Sequence, residues 1–168
     1  STPSPVSPRV GARSVLSGAS LVLLTLLVLA VATVALRYLR LDPATFFEPQ
    51  RATYLAHRGA LLTHVCGSVL ALLTLPVQLS RWLRERWPRA HRVTGRVHVT
   101  GVAVGGAGGL LLSTVAHGGP AARLGFAALA LAWLVTTALA VAAIRRRDLA
   151  SHRRWMVRSA ALTGAAIT

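Results

Sequence analysis

The chain has 168 residues, of which 54% are hydrophobic and only 14% are charged, against about a quarter charged in an average soluble domain. Its formal net charge of +15 comes from 19 arginines and no lysine, and most of these arginines flank apolar blocks. This placement excludes a nucleic-acid-binding face and favours a protein embedded in a lipid bilayer. The lysine-free, alanine-rich composition is typical of GC-rich bacterial genomes, so we expect the inner (cytoplasmic) membrane of a bacterium.

The N-terminal residues 1–14 are rich in proline and serine and predict a disordered tail. Residues 15–168 predict one transmembrane helical domain. Its first apolar block, residues 15–36, has 22 residues without a charge and is too long to be a signal-peptide core.

Further apolar blocks follow at residues 59–79, 97–116 and 124–144, each close to the roughly 20 residues that cross a bilayer. A fifth block runs from residue 155 to the last residue, 168, and is too short to span. We expect this last helix to be incomplete because the natural protein continues, and a re-entrant helix is the alternative. The fold class is therefore an all-α, polytopic transmembrane bundle of about five helices.

The arginines predict the orientation of the bundle. With the N-terminus inside, the inner segments hold 14 arginines and the outer segments hold five. Since cytoplasmic loops are enriched in positive charge, we predict a cytoplasmic N-terminus.

The second block carries a polar stripe. His57, His64 and Gln78 are seven and fourteen residues apart and share one helix face. Ionisable side chains at membrane depth are costly and often functional, so His64 is a candidate ligand. A histidine that bonds neighbouring helices together is the structural alternative.

The third block repeats this pattern with histidines and glycines. Five residues follow each other at intervals of three or four and therefore share one helix face: His91, Gly95, His98, Gly101 and Gly105. Glycines at such spacing allow the close approach of another helix, or of a flat cofactor.

The six histidines fall at two depths. The outer set is His57, His64 and His117, and the inner set is His91, His98 and His152. Neutral imidazole binds haem iron and other transition metals, so pairs at two depths suit electron transfer across a bilayer. The predicted cofactor-binding residues are His64, His91, His98, His117, His152, Gly105, Arg96 and Arg158, the two arginines as partners of haem propionates. The predicted metal ligands are His64, His98 and His152.

The second half of the chain carries several distinctive runs. They are residues 91–96 (HRVTGR), 105–110 (GGAGGL), 117–119 (HGG), 132–134 (AWL) with Thr136–Thr137, and 152–159 (HRRWMVRS). Over residues 60–168 these runs resemble a bacterial family of multi-pass membrane proteins, domain of unknown function 2306. Members usually continue with more helix, which is consistent with an incomplete last helix here.

A weaker resemblance is to cytochrome b-561 type electron-transfer proteins. It rests on His64, then Gln78–Leu79, then a basic loop with His91 and Gly95. The fourth block has no histidine, so four haem ligands on four consecutive helices are absent. This resemblance therefore implies at most a rearranged or single haem site.

No nucleophile–base pair, Walker motif or dinucleotide fingerprint is present, and the four carboxylates lie outside the predicted spans. The only cysteine, Cys66, excludes an internal disulfide and is expected to be a small core residue. Our first hypothesis is a haem b protein that transfers electrons, with a quinone as a possible partner. The alternatives are a non-enzymatic subunit of a larger membrane complex, with other subunits or further copies of itself as partners, and a small transporter or metal-handling protein.

Overall fold

The computed structural model describes residues 17–165, which form seven α-helices and three short 3-10 turns. The predicted disordered tail, residues 1–14, lies outside the described residues. The helices are α1 (Gly18–Leu36), α2 (Arg51–Ala56), α3 (Arg58–Leu79), α4 (Arg81–Arg86), α5 (Pro88–Ser113), α6 (Gly119–Arg145) and α7 (Leu149–Gly164). The all-α fold class is confirmed for this part of the chain.

Three of the described helical segments are long and apolar enough to cross a membrane: Gly18–Arg40, Arg58–Leu79 and Gly119–Arg145. The predicted count of five spans is therefore not confirmed. Helix α5 begins nine residues before its predicted block, because the arginine- and histidine-rich run after Pro88 continues the helix and lowers its mean hydropathy. The described part of α7 has 16 residues, about 24 Å at 1.5 Å per residue, less than the hydrocarbon thickness.

Helices α3 and α5 form the closest packed pair because both present glycine at the crossing. A Cβ atom added to Gly67 would lie 2.6 Å from the Cα atom of Gly105. One added to Gly101 would lie 2.7 Å from the backbone nitrogen of Ala71. These glycines bring two helix backbones together, so over Gly101 and Gly105 the glycine face meets α3 and not a flat cofactor.

Helices α6 and α7 are joined by a tight turn. The Asp148 N–H donates to the carbonyl of Ala143, and the Arg147 N–H donates to that of Ile144, which ends α6 in a Schellman motif. The Asp148 side chain then accepts the Ser151 N–H at 2.9 Å and caps the start of α7. The two helices therefore lie side by side, with Thr137 and Ser159 hydrogen-bonded between them at 2.6 Å.

The segment between α1 and α3 folds over one end of the bundle, which we call the loop end. Here the ring of Tyr38 stacks on that of Phe46 at 5.5 Å, and the ring of Tyr54 meets both edge-on. Phe46 is 4% exposed, whereas Phe47 is 56% exposed. The opposite end holds α4 and the α6–α7 turn, and we call it the arginine-rich end.

Candidate functional site

A cavity of about 480 Å³ lies inside the bundle toward the loop end, in the size range of small-molecule sites. Its walls come from α1, α2, α3, α5, α6 and the end of α7. Most of the lining is aliphatic or aromatic. Its polar side chains include His64, Ser68, Tyr54 and Thr163.

His64 is fixed in this wall by the α3–α5 packing. Its Nδ1 lies 2.8 Å from the carbonyl oxygen of Gly105. Since a carbonyl oxygen only accepts, Nδ1 carries the proton and donates, and Nε2 keeps its lone pair. The imidazole also lies over Gly109, where a Cβ atom would come within 3.0 Å of Nδ1. The structure thus brings His64 and Gly105 together.

A second polar group of the cavity wall is Ser68, one turn after His64 on α3. Within residues 17–165 its hydroxyl is buried and has no hydrogen-bond partner. A buried, unpaired hydroxyl costs about 1–3 kcal/mol, so a bound molecule that pairs with it is favoured. Sequence reasoning missed Ser68, although its i, i+4 spacing from His64 was a usable signal.

Two further polar side chains of the cavity wall, Thr163 and Tyr54, are also uncharged. The Trp133 Nε1–H donates to the hydroxyl oxygen of Thr163 at 2.9 Å. Burial, and then the neighbouring Tyr38 hydroxyl, raises the pKa of Tyr54 above its usual value, so this phenol stays neutral. The cavity therefore has a largely apolar surface, and the polar side chains in its wall include those of His64, Ser68, Gln50 and Thr53.

Two histidines of the predicted inner set also bond across helices. His98 of α5 is fully buried and donates its Nδ1–H to the carbonyl of Ala71 on α3 at 3.0 Å. In the same way, Nδ1 of His152 on α7 lies 2.9 Å from the carbonyl oxygen of Ala140 on α6. Such bonds stabilise helix pairs, which is the role that the structural alternative gave to His64.

His91 lies near the arginine-rich end, before the predicted span. Burial first, then the positive charge of Arg84, and after it His152 and Arg92, lowers the pKa of its imidazole. The carbonyl of His91 accepts a hydrogen bond from Gln78, at 3.3 Å. His91 and His152 are therefore neighbours at this end, while His64 lies in the cavity wall.

The remaining predicted site residues lie apart from both groups. His117 and Arg96 are exposed, on the α5–α6 turn and on α5 respectively. Arg158 is exposed, and its guanidinium stacks over Trp155 at 4.4 Å. Cys66 is also exposed on α3, so the expected core position was wrong: the buried positions next to it are Val65, Gly67 and Val69.

The predicted metal ligands do not form one centre. No three histidine, cysteine, aspartate or glutamate side chains among residues 17–165 come together as a metal-binding group. Each of these histidines instead bonds to a backbone carbonyl on a different helix: His64 to one on α5, His98 to one on α3 and His152 to one on α6.

The cavity also sets limits on a haem. Its lining contains one histidine, His64, and no arginine. The described residues therefore supply one axial ligand there, without a second histidine or a guanidinium for the propionates. Among the described residues the buried Nε2 of His98 has no partner, but His98 does not line this cavity.

Comparison with known proteins identifies the family. Residues 61–168, nearly two thirds of the chain, match the family described as predicted membrane protein (DUF2306). No curated protein and no solved structure matches the chain. The chain therefore belongs to the DUF2306 family and is a membrane protein, which confirms the resemblance seen in its second half. The likeness to cytochrome b-561 finds no support in these comparisons.

Proposed function

We propose that this member of the DUF2306 family binds a lipophilic molecule with a phenolic hydroxyl, of the quinol class, in the cavity at the loop end. The proposal rests on the hydrogen bonding and position of the His64 side chain. Its Nδ1–H is engaged by Gly105, which leaves Nε2 as the acceptor of the ring, and this side chain lines a cavity whose other walls are mainly apolar.

Two polar groups of the wall, on His64 and Ser68, are spaced to hydrogen-bond one hydroxyl of the ligand. His64 and Ser68 are four residues apart on α3 and therefore lie on the same face, about 5–6 Å apart. A quinol hydroxyl donates to Nε2 of His64 and accepts from the Ser68 hydroxyl, which gives the unpaired Ser68 oxygen a partner. The apolar ring and isoprenoid chain then occupy the aliphatic remainder of the cavity.

The experiment is a binding titration of the detergent-purified protein with a short-chain quinol, followed by quenching of tryptophan fluorescence. Trp133 lines the cavity, so a bound quinol lies close to it. We expect His64→Leu to weaken binding about tenfold and Ser68→Ala to weaken it severalfold, the effect of losing one hydrogen bond each. His117→Ala, at an exposed histidine of the same end, is the matched control.

Two outcomes contradict the proposal. Equal affinity of the wild type and both cavity variants would show that neither His64 nor Ser68 makes a hydrogen bond to the quinol. An equal loss of affinity in His117→Ala would show that substitutions at the loop end weaken binding in general, and not through the hydrogen bonds of the cavity. A thermal unfolding measurement of each variant separates lost binding from lost folding, because Ser68→Ala removes no bond within the described residues.

A haem b carried by His64 is the second candidate, and with it the transfer of electrons. It is supported by the protonated Nδ1, since histidines that bind a metal through Nε2 commonly donate Nδ1–H to a backbone carbonyl. A reduced-minus-oxidised visible spectrum of protein produced with added haem tests it. Sharp bands that disappear in His64→Leu favour haem. A featureless spectrum together with quinol binding favours the first candidate, and failure of both favours a subunit of a larger membrane complex.

We also propose that the arginine-rich end faces the cytoplasm of a bacterial cell. The support is the excess of arginine in the segments at that end. Reporter fusions in the α4 segment and in the Asp42–Phe47 loop should give opposite signals, cytoplasmic for α4. A periplasmic signal from α4 would reverse the orientation.

A further inference from the structure

A groove between α5 and α6 extends toward the arginine-rich end and has a volume of about 630 Å³. Helix α5 contributes Val99, Val102 and Ala103 to it. Helix α6 contributes aliphatic residues that continue as far as Arg145 and Arg146. This groove is separate from the cavity of His64, and the two share only α5 and α6 as walls.

The groove lies beside a close contact between the two helices. A Cβ atom on Gly106 would lie 2.6 Å from the Leu134 side chain, so α5 and α6 touch there. Toward the arginine-rich end, Ala103, Ala138 and Ala142 face the space between them, and their side chains are too short to fill it.

The wall of the groove is almost wholly hydrocarbon. Its one uncharged polar side chain, Thr137, donates to the carbonyl of Trp133 at 2.8 Å and is paired with Ser159. A polar ligand would find no partner along this wall. A hydrocarbon chain would gain van der Waals contact with it.

Positive charge marks one end of the groove. Arg145 and Arg146 are exposed, and neither side chain makes a hydrogen bond or a close ion pair within residues 17–165. The nearby carboxylate of Asp148 caps α7 through Ser151 and attracts Arg146 electrostatically, without a direct ion pair to it. Two guanidinium groups at one end of a hydrocarbon groove complement a phosphate joined to an acyl chain.

We infer that the α5–α6 groove binds an anionic phospholipid, with an acyl chain between the helices and the phosphate on Arg145 and Arg146. Charge complementarity selects this occupant. A zwitterionic lipid offers the phosphate together with a cation that the arginines repel, whereas phosphatidylglycerol offers net negative charge. The inference is independent of any ligand in the cavity of His64.

The test is native mass spectrometry of the detergent-purified protein with added phosphatidylglycerol or phosphatidylcholine. We expect the wild type to retain phosphatidylglycerol in preference to phosphatidylcholine. The double variant R145Q/R146Q should bind phosphatidylglycerol roughly 20- to 30-fold more weakly, since each arginine near an anionic headgroup contributes about fivefold. The matched control is R89Q/R92Q, which removes two exposed arginines of the same end outside the groove.

A second variant tests the hydrocarbon part without changing charge. Ala138 is exposed toward the groove, so Ala138→Phe fills the space and leaves both arginines. We expect it also to lose phosphatidylglycerol. The inference is overturned if the two lipids bind equally, if R89Q/R92Q loses as much as R145Q/R146Q, or if Ala138→Phe binds like the wild type.

Discussion

Replacing Gly67 by alanine tests the packing that positions His64. The added Cβ atom would lie 2.6 Å from the Cα atom of Gly105 and 2.7 Å from the carbonyl oxygen of Gly101. Both neighbours are backbone atoms of α5 and cannot rotate away. Carbon atoms in contact prefer a separation of about 3.5–4.0 Å, so α3 and α5 must separate by roughly 1 Å.

The expected cost follows from two opposing effects. Overpacking of this kind costs about 1–3 kcal/mol of unfolding free energy, and the close α3–α5 contacts are lost in addition. Alanine recovers up to about 1 kcal/mol through its higher helix propensity. We therefore expect Gly67→Ala to lower the unfolding free energy by about 1–2 kcal/mol.

The assay is unfolding of the purified protein in detergent, followed by circular dichroism as denaturing detergent is added. Gly125→Ala in α6 is the matched control, because no atom lies within 4 Å of its added Cβ. The control should be neutral or slightly stabilising. If Gly67→Ala is as stable as Gly125→Ala, the close crossing of α3 and α5 is not what holds these helices together.

Two further predictions concern α7. Trp133→Phe removes the hydrogen bond to Thr163 and should lower the unfolding free energy by about 1 kcal/mol in the same assay, and an unchanged midpoint would contradict the importance of that bond. Hydrogen bonds from the Ser151 hydroxyl and then its N–H hold the pKa of Asp148 below 3.8. Because the ionised cap is the stabilising form, its effect is present above pH 3.8 and is lost as the pH falls through the lower pKa of the folded state. The amide resonance of Ser151 should therefore titrate with a midpoint below 3.8, and a midpoint at or above 3.8 would show that the cap is not formed.

The sequence determined the helical class and the location of most helices. Long apolar blocks in a lipid solvent must satisfy their backbone hydrogen bonds internally, and continuous blocks of about 20 residues do so as α-helices. The pattern of apolar blocks located α3 to within one residue of its observed start. It was less accurate for α5 and α7, because arginines and histidines near a membrane boundary continue a helix without adding to its apolar block.

The sequence also identified His64 as a polar residue in an apolar helix, while its role was left open between a ligand and a bond between helices. The tertiary structure shows that one ring nitrogen makes such a bond, to Gly105, and that the ring also lines a cavity. No periodicity within α3 contains this information, because the cavity is enclosed by residues from six helices.

Tertiary packing likewise decided which similar residues are buried. Phe46 and Phe47 are adjacent and chemically identical, yet only Phe46 packs on Tyr38 and Tyr54. The spacing of the α5 glycines was compatible with a neighbouring helix or with a flat cofactor, and the backbone of α3 occupies the face of Gly101 and Gly105. Spacing along one helix determines which residues share a face, whereas the element that covers the face depends on contacts between residues distant in sequence.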